Sequence, residues 1–299
     1  MDAMPGSMVQ ATPSEASVLH FITEVLLEQI KTLFDDRGIE FLVLKGPHLA
    51  YTVYENPGER TWCDLDLLVA PDAFGEAMVV MASAGHIVVP GNDPSQARGY
   101  YCAAFSSPLS MVVELHQALA EHGRYPVNVK EWFRRARPFR LGKTEALGLC
   151  PEDLLLALCI HAAKGFFQVI ERKHILDLAR VTLHDPIDWK AFCVQAAKCG
   201  CAGAAYYALL AARHQEGARV PDDVLDTLRP GRLRRRWLGQ FLDPAAYPIF
   251  TAGNVEAWWW YPFVGLPLID RKRDWVRLAG AFTLLRLRDL PRRLKGRRV

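Results

Sequence analysis

FLVLKGPHLAYTVYENPGERTWCDLDLLV, residues 41–69, is the stretch whose reading decides the fold. Residues 41–44 are a short apolar run with the length and character of a buried strand. Lys45-Gly46-Pro47 stops that run. Because Pro is favoured at the first helical position, residues 48–54 are predicted as a short helix. Asn56-Pro57-Gly58 reads as a turn, and residues 63–69 as a second strand carrying Asp64 and Asp66. Side chains alternate across a strand, so the two carboxylates project from one face, about 7 Å apart along the chain. Two acids side by side on an apolar strand are costly unless a cation neutralises them. Mg²⁺, which prefers carboxylate and phosphate oxygens, is the natural candidate.

Outward from this stretch, residues 1–11 are expected to be disordered. Thr12-Pro13-Ser14-Glu15 fits a capping box with Pro at the first helical position. A helix is predicted from there to about Arg37, with Gly38 closing it. On the other side, residues 71–84 read as a helix, 86–89 as a strand, and 100–105 with 110–116 as a hairpin. On the last strand Val112, Glu114 and His116 share a face. Taken alone, Glu114 is either an acid turned into a buried site or an edge-strand residue facing water. A short basic helix follows Asn128, and residues 139–149 run extended with a turn at Gly142-Lys143.

From Pro151 the pattern is helical, with Pro and acids in the first turn of the first helix. Further helices are predicted over 171–183, 189–198, 202–214 and about 222–228. The fold class is therefore α+β: a small mixed sheet flanked by helices, then a mostly helical C-terminal domain. The domains are set at 12–149 and 150–299.

Half of the 299 residues are apolar, and the net charge of +3 is too small to argue for nucleic acid by itself. Seven cysteines without a framework spacing fit small buried hydrophobes in a reducing compartment. There is neither a basic-then-apolar leader nor a run of about 18 apolar residues. A cytoplasmic location without a transmembrane segment is the expectation.

The ordered set Leu44, Lys45, Gly46, Arg60, Asp64, Asp66, Leu67, Leu68, Val69 resembles the bacterial uncharacterised nucleotidyltransferases, of the polymerase-β-type superfamily. The similarity extends to Pro151 through His161 and to Lys173, Asp177, Leu178 and Ala179, so it covers the chain from about residue 20 to beyond 215. It implies a nucleotidyltransferase that moves a nucleoside monophosphate from an NTP to a hydroxyl or phosphate acceptor, releasing pyrophosphate. Asp64, Asp66 and a third carboxylate, Glu114, would be the catalytic metal ligands, for Mg²⁺ with Mn²⁺ as the alternative. Lys45, Gly46, Arg60 and His116 would serve nucleotide and phosphate, His116 also fitting a supporting or a structural place. The chain departs from the wider superfamily at Gly46-Pro47, where Gly-Ser is usual, so a phosphate-binding hydroxyl is missing. It also carries Glu, longer than Asp, as the third acid.

Lys164 and Lys173 have two readings. Either they line the cleft and contact triphosphate or acceptor, or they are ordinary helix residues, Lys173 pairing with Asp177 at i,i+4. The Trp258–Trp260 cluster and basic C-terminus fit either helix packing or contact with a membrane surface or nucleic acid. Rival functions are a non-catalytic nucleotide- or RNA-binding module, a docking protein, and a transferase of another group from a nucleotide donor. The acceptor, whether small molecule, peptide or RNA, has no motif.

Overall fold

The apolar run at the head of the deciding stretch forms β1 (Phe41–Val43), and the Asp-x-Asp run forms β2 (Asp64–Val69), antiparallel to it. Between them lie a short helix, α2 (Pro47–Thr52), and a 3₁₀ turn (Pro57–Glu59) whose Gly58 N–H is capped by the Asn56 side chain at 2.9 Å. The predicted hairpin is present as β4 (Cys102–Ser106) and β5 (Val112–His116). The computed structural model describes residues 13–89, 101–120, 124–164, 167, 171–251, 261–271 and 274–275. The proposed disorder of 1–11, the Thr12 cap, the Trp258–Trp260 cluster and the basic C-terminus lie outside them.

Among the described residues the sheet has seven strands in the order β3-β4-β5-β2-β1-β7-β6. β3 (Ile87–Val88) forms one edge, and the hairpin β6 (Arg137–Leu141) with β7 (Thr144–Gly148) the other. Two pairings in this mixed sheet are parallel. One is β1 with β7; the other, β2 with β5, sets Asp66 opposite Glu114 and Leu68 opposite His116.

Alternation gives the sheet two unlike faces. Phe41, Val43, Leu65, Leu67, Val69, Val113 and Leu115 lie on one, in a core shared with Leu26, Ile30 and Phe34 of α1 (Pro13–Asp35) and Ala77 and Met81 of α3 (Phe74–Ser83). The other face is divided. Leu42, Leu44 and Leu68 join the core of the helical unit, whereas Asp64, Asp66, Glu114 and His116 make the rest polar. The helical unit comprises α5 (Pro151–Lys164), α6 (Arg172–His184), α7 (Trp189–Cys199), α8 (Ala202–Glu216) and α9 (Asp222–Leu228). Ahead of it, α4 (Val129–Arg135) adds Trp132 to the same core, and α10 (Arg232–Leu238) adds Leu238 behind. One hydrophobic cluster thus runs across residue 149, so that boundary separates chain segments rather than cores. The polar half of the sheet sits where α5 and α6 overhang it.

Candidate functional site

β2 and β5 set the central geometry. Their parallel register brings carboxylate oxygens of Asp64, Asp66 and Glu114 within 4.8 Å of one another. Asp66 is fully buried, and its charge is met from two sides. His116 Nε2 lies 2.9 Å from its Oδ1, and Lys45 Nζ 2.9 Å from its Oδ2, as an ion pair off the hydrogen-bond direction. His116 Nε2 also lies 3.2 Å from Glu114 Oε2, tying the third carboxylate to the first pair.

These neighbours divide the acids. Burial favours the neutral carboxyl of Asp66, but Lys45 and His116 outweigh it and hold the group well below the usual carboxylate range. Asp64 shifts the other way: burial first, then the negative charge of Asp66, raises it, with Lys45 only partly opposing. The hydrogen bond from His116 keeps Glu114 low against its burial. Burial works against charge on Lys45 and His116, but the carboxylates overcome it and raise both. The site therefore holds more carboxylate than its cations comfortably neutralise, and Asp64 carries the excess. Three hard oxygen donors with a surplus of negative charge fit a divalent cation of the Mg²⁺ kind.

Gly46 shapes the approach to these groups. Its φ of 56° and ψ of −103° suit glycine alone, and a Cβ there would meet Trp62 Cβ at 3.2 Å. Trp62 is pinned from behind by its indole N–H, which donates to Thr23 Oγ1 of α1 at 2.9 Å. The turn has fewer donors to offer than a helix start usually has. Pro47 has no N–H, and that of His48 goes to the Lys45 carbonyl at 3.2 Å.

A cavity of about 330 Å³ opens in front of the carboxylates. Lys45, Gly46, Asp64 and Asp66 form its sheet side, and Lys164 and Lys173 stand on the helical side. Glu114 and His116 are not on the wall but behind Asp66 on the neighbouring strand. Lys164 lies over the Tyr101 ring, 5.0 Å from its centroid. The Lys173–Asp177 pair does not form: Lys173 meets Glu171 at 2.9 Å.

Asp177 is taken by Arg60, which the structure does not present as a free cation. Arg60 Nε donates to Asp177 Oδ1 and Nη2 to Oδ2, each at 2.8 Å, and Nη1 bonds the Thr61 carbonyl. Tyr54 Oη–H donates to the same Asp177 at 2.7 Å. The pair is buried, at 5% exposure for Arg60 and 0% for Asp177, and locks the chain ahead of β2 to α6. Two histidines also stand on the wall, His161, which ends the Pro151–His161 similarity, and His174, which the sequence did not single out; their rings stand edge to face at 5.0 Å. Burial holds both neutral at ordinary pH, His174 down at about 4. Their signal was faint, since a His on an apolar helix reads as packing.

A mixed sheet with Asp-x-Asp on one strand, a third carboxylate in register on its parallel neighbour and a glycine turn facing them defines a nucleotidyltransferase-type fold. The chain belongs to the uncharacterised nucleotidyltransferase family, which matches it over residues 16–215. It is accordingly a transferase enzyme, with nucleotidyl transfer as its general activity and a nucleoside triphosphate as the donor that activity implies. No curated protein matches the chain. Among solved structures, the antibiotic-resistance factor ANT(2'')-Ia is similar at 14% identity, over 66% of this chain and 99% of its own, with a TM-score of 0.42. Among the described residues no helix is long and apolar enough to cross a membrane.

Proposed function

We propose that the chain transfers a nucleoside monophosphate from an NTP to an acceptor hydroxyl or phosphate and releases pyrophosphate. The observation that carries this reading is the triad of carboxylates, with oxygens within 4.8 Å of one another, Asp64 and Asp66 on the cavity wall and Glu114 on the strand behind. Asp64, Asp66 and Glu114 would hold the divalent cation, Mg²⁺ or in its place Mn²⁺. A cation held there would supply charge neutralisation at the donor phosphates and lower the pKa of the acceptor hydroxyl.

The chain's own groups have separate tasks. Lys45, held beside Asp66 and open to the cavity, offsets negative charge on the donor phosphates. The Gly46 turn leaves room for them, because no Cβ fills the space before Trp62. His116 keeps Asp66 and Glu114 ionised and fixes their orientation, a supporting task rather than a phosphate contact. Glu114, kept anionic, accepts the acceptor proton as the acceptor oxygen bonds the α-phosphorus and the bond to pyrophosphate breaks. Lys164 and Lys173 on the opposite wall contact triphosphate or acceptor. Arg60 and Asp177 build the wall. This arrangement favours a transferase over a binding module, which has no use for three crowded acids.

The test is calorimetric binding of each NTP with Mg²⁺ to wild type and to Asp64→Ala/Asp66→Ala, followed by detection of pyrophosphate with candidate acceptors. Metal-dependent binding of an NTP that disappears in the double variant is the expected result. Equal binding in both proteins would sink the proposal and favour the binding module.

A further inference from the structure

Beside the carboxylate triad the same sheet face carries a thiol. Cys102 on β4 and His116 on β5 are direct cross-strand partners, with Cβ atoms about 5 Å apart by the usual antiparallel geometry. Glu114 is two residues before His116 and shares its face. One ligand atom from each of Cys102, Glu114 and His116 lies within 4.8 Å of the other two.

The second observation is the state of the imidazole. His116 is 3% exposed, and its Nε2 faces the carboxylates of Asp66 and Glu114. Its Nδ1 is buried without a hydrogen-bond partner, which is costly for a polar atom unless something binds it. Histidines that ligate metals characteristically have one ring nitrogen held by a carboxylate and the other lone pair turned to the ion. A thiolate, an imidazole and a carboxylate together form a softer donor set than three carboxylates. They suit Zn²⁺, with a fourth position left for water, better than Mg²⁺.

We propose that Cys102, His116 and Glu114 form a second cation site, for Zn²⁺ and ions of its kind, which shares Glu114 with the Asp64–Asp66–Glu114 triad. On binding, the Cys102 thiol and the His116 ring, held as a cation between Asp66 and Glu114, each give a proton to solvent as the sulfur–metal and nitrogen–metal bonds form, and Glu114 turns from Nε2 to the ion. Glu114 cannot complete both sites at once, so a thiophilic ion withdraws the third carboxylate and inhibits transfer. Inhibition rests on the transferase reading above; the binding itself does not.

The experiment titrates the full chain, freed of metal by a chelator, with Co²⁺ as a spectroscopic stand-in for Zn²⁺. Wild type is expected to bind one equivalent with a thiolate-to-cobalt charge-transfer band that Zn²⁺ abolishes. Cys102→Ser should lose the band and bind at least about 10-fold more weakly, since a direct ligand matters no less than its outer partners. Cys63→Ser, which alters an exposed thiol next to Asp64, should keep both. A band that survives Cys102→Ser, one that vanishes with Cys63→Ser, or none in wild type would overturn the site. Metal-free thermal unfolding checks the fold of each variant. Should Cys102→Ser not fold, alkylation of wild-type Cys102 decides: Zn²⁺ must slow it, and an unchanged rate overturns the proposal. A band without any transferase activity in Mg²⁺ would count against the proposed function and leave this site standing.

Discussion

Replacing Asp177 by Asn removes the charge that Arg60 is built to meet while keeping the shape of the side chain. Arg60 is 5% exposed and donates two hydrogen bonds to Asp177 at 2.8 Å, and Tyr54 adds a third at 2.7 Å. Breaking a buried pair from one side leaves a charge with nothing to neutralise it, at a cost of roughly 3–5 kcal/mol. Arg60→Met/Asp177→Leu removes both charges and should lie within about 2 kcal/mol of wild type, because the desolvation penalty goes with the pair. Tyr54→Phe loses one hydrogen bond to a charged group, about 1.5–3 kcal/mol. Urea unfolding gives all three values, with comparable m-values as the check that the same surface is exposed. The reasoning fails if Asp177→Asn costs under about 1 kcal/mol against that range. It also fails if Arg60→Ala leaves stability intact but abolishes NTP binding, for then the guanidinium faces phosphate.

Further outcomes follow from other parts of the structure. In chelator, Asp64→Asn should unfold no earlier than wild type, and up to about 1 kcal/mol later, because it relieves crowding with Asp66. Asp66→Asn should cost about 3 kcal/mol by leaving Lys45 and His116 without their carboxylate. Both should lose the stabilisation by Mg²⁺ and NTP, about 2.7 kcal/mol at a hundred times Kd, that wild type shows. His48, buried against the Phe139 ring, has a folded pKa lowered by burial to about 4 from 6.5. The unfolded chain therefore binds the extra proton between those values, so stability falls as pH drops through that window. The loss is about 2 kcal/mol at pH 5, and His48→Leu should flatten this part of a stability–pH profile; equal slopes would refute it. Gly148→Ala would put a Cβ 2.3 Å from His48 Nε2, so it should lower stability by about 1–3 kcal/mol. His48→Ala in the same chain should recover part of that loss, and thermal unfolding of single and double variants decides.

What could be read in advance was whatever is local or periodic. β1, β2, the hairpin of β4 and β5, and helices α5 to α9 are set by short apolar alternation, by 3.6-residue spacing and by Pro and acid at helix starts. They fall within a few residues of expectation. The parallel pairing of β2 with β5 is not local, and only the resemblance suggested that Glu114 should stand near the Asp pair. Arg60 shows where residue type stops being informative. An arginine four residues before a catalytic-looking aspartate has the right chemistry to meet phosphate. Yet its partner lies 117 residues away, on a helix whose own i,i+4 spacing offered Asp177 a different cation. Local electrostatics is worth a few tenths of a kcal/mol on a helix surface. A buried, bidentate, three-donor contact involves several, so the tertiary pairing prevails once the sheet and helices are packed. The same order of magnitudes explains His116. Its place beside Glu114 was visible from strand alternation, but its hold on Asp66 exists only because β5 lies parallel to β2. The residues that carry charge in this site could be named from the sequence; which of them face the substrate and which hold the others in place is decided by burial.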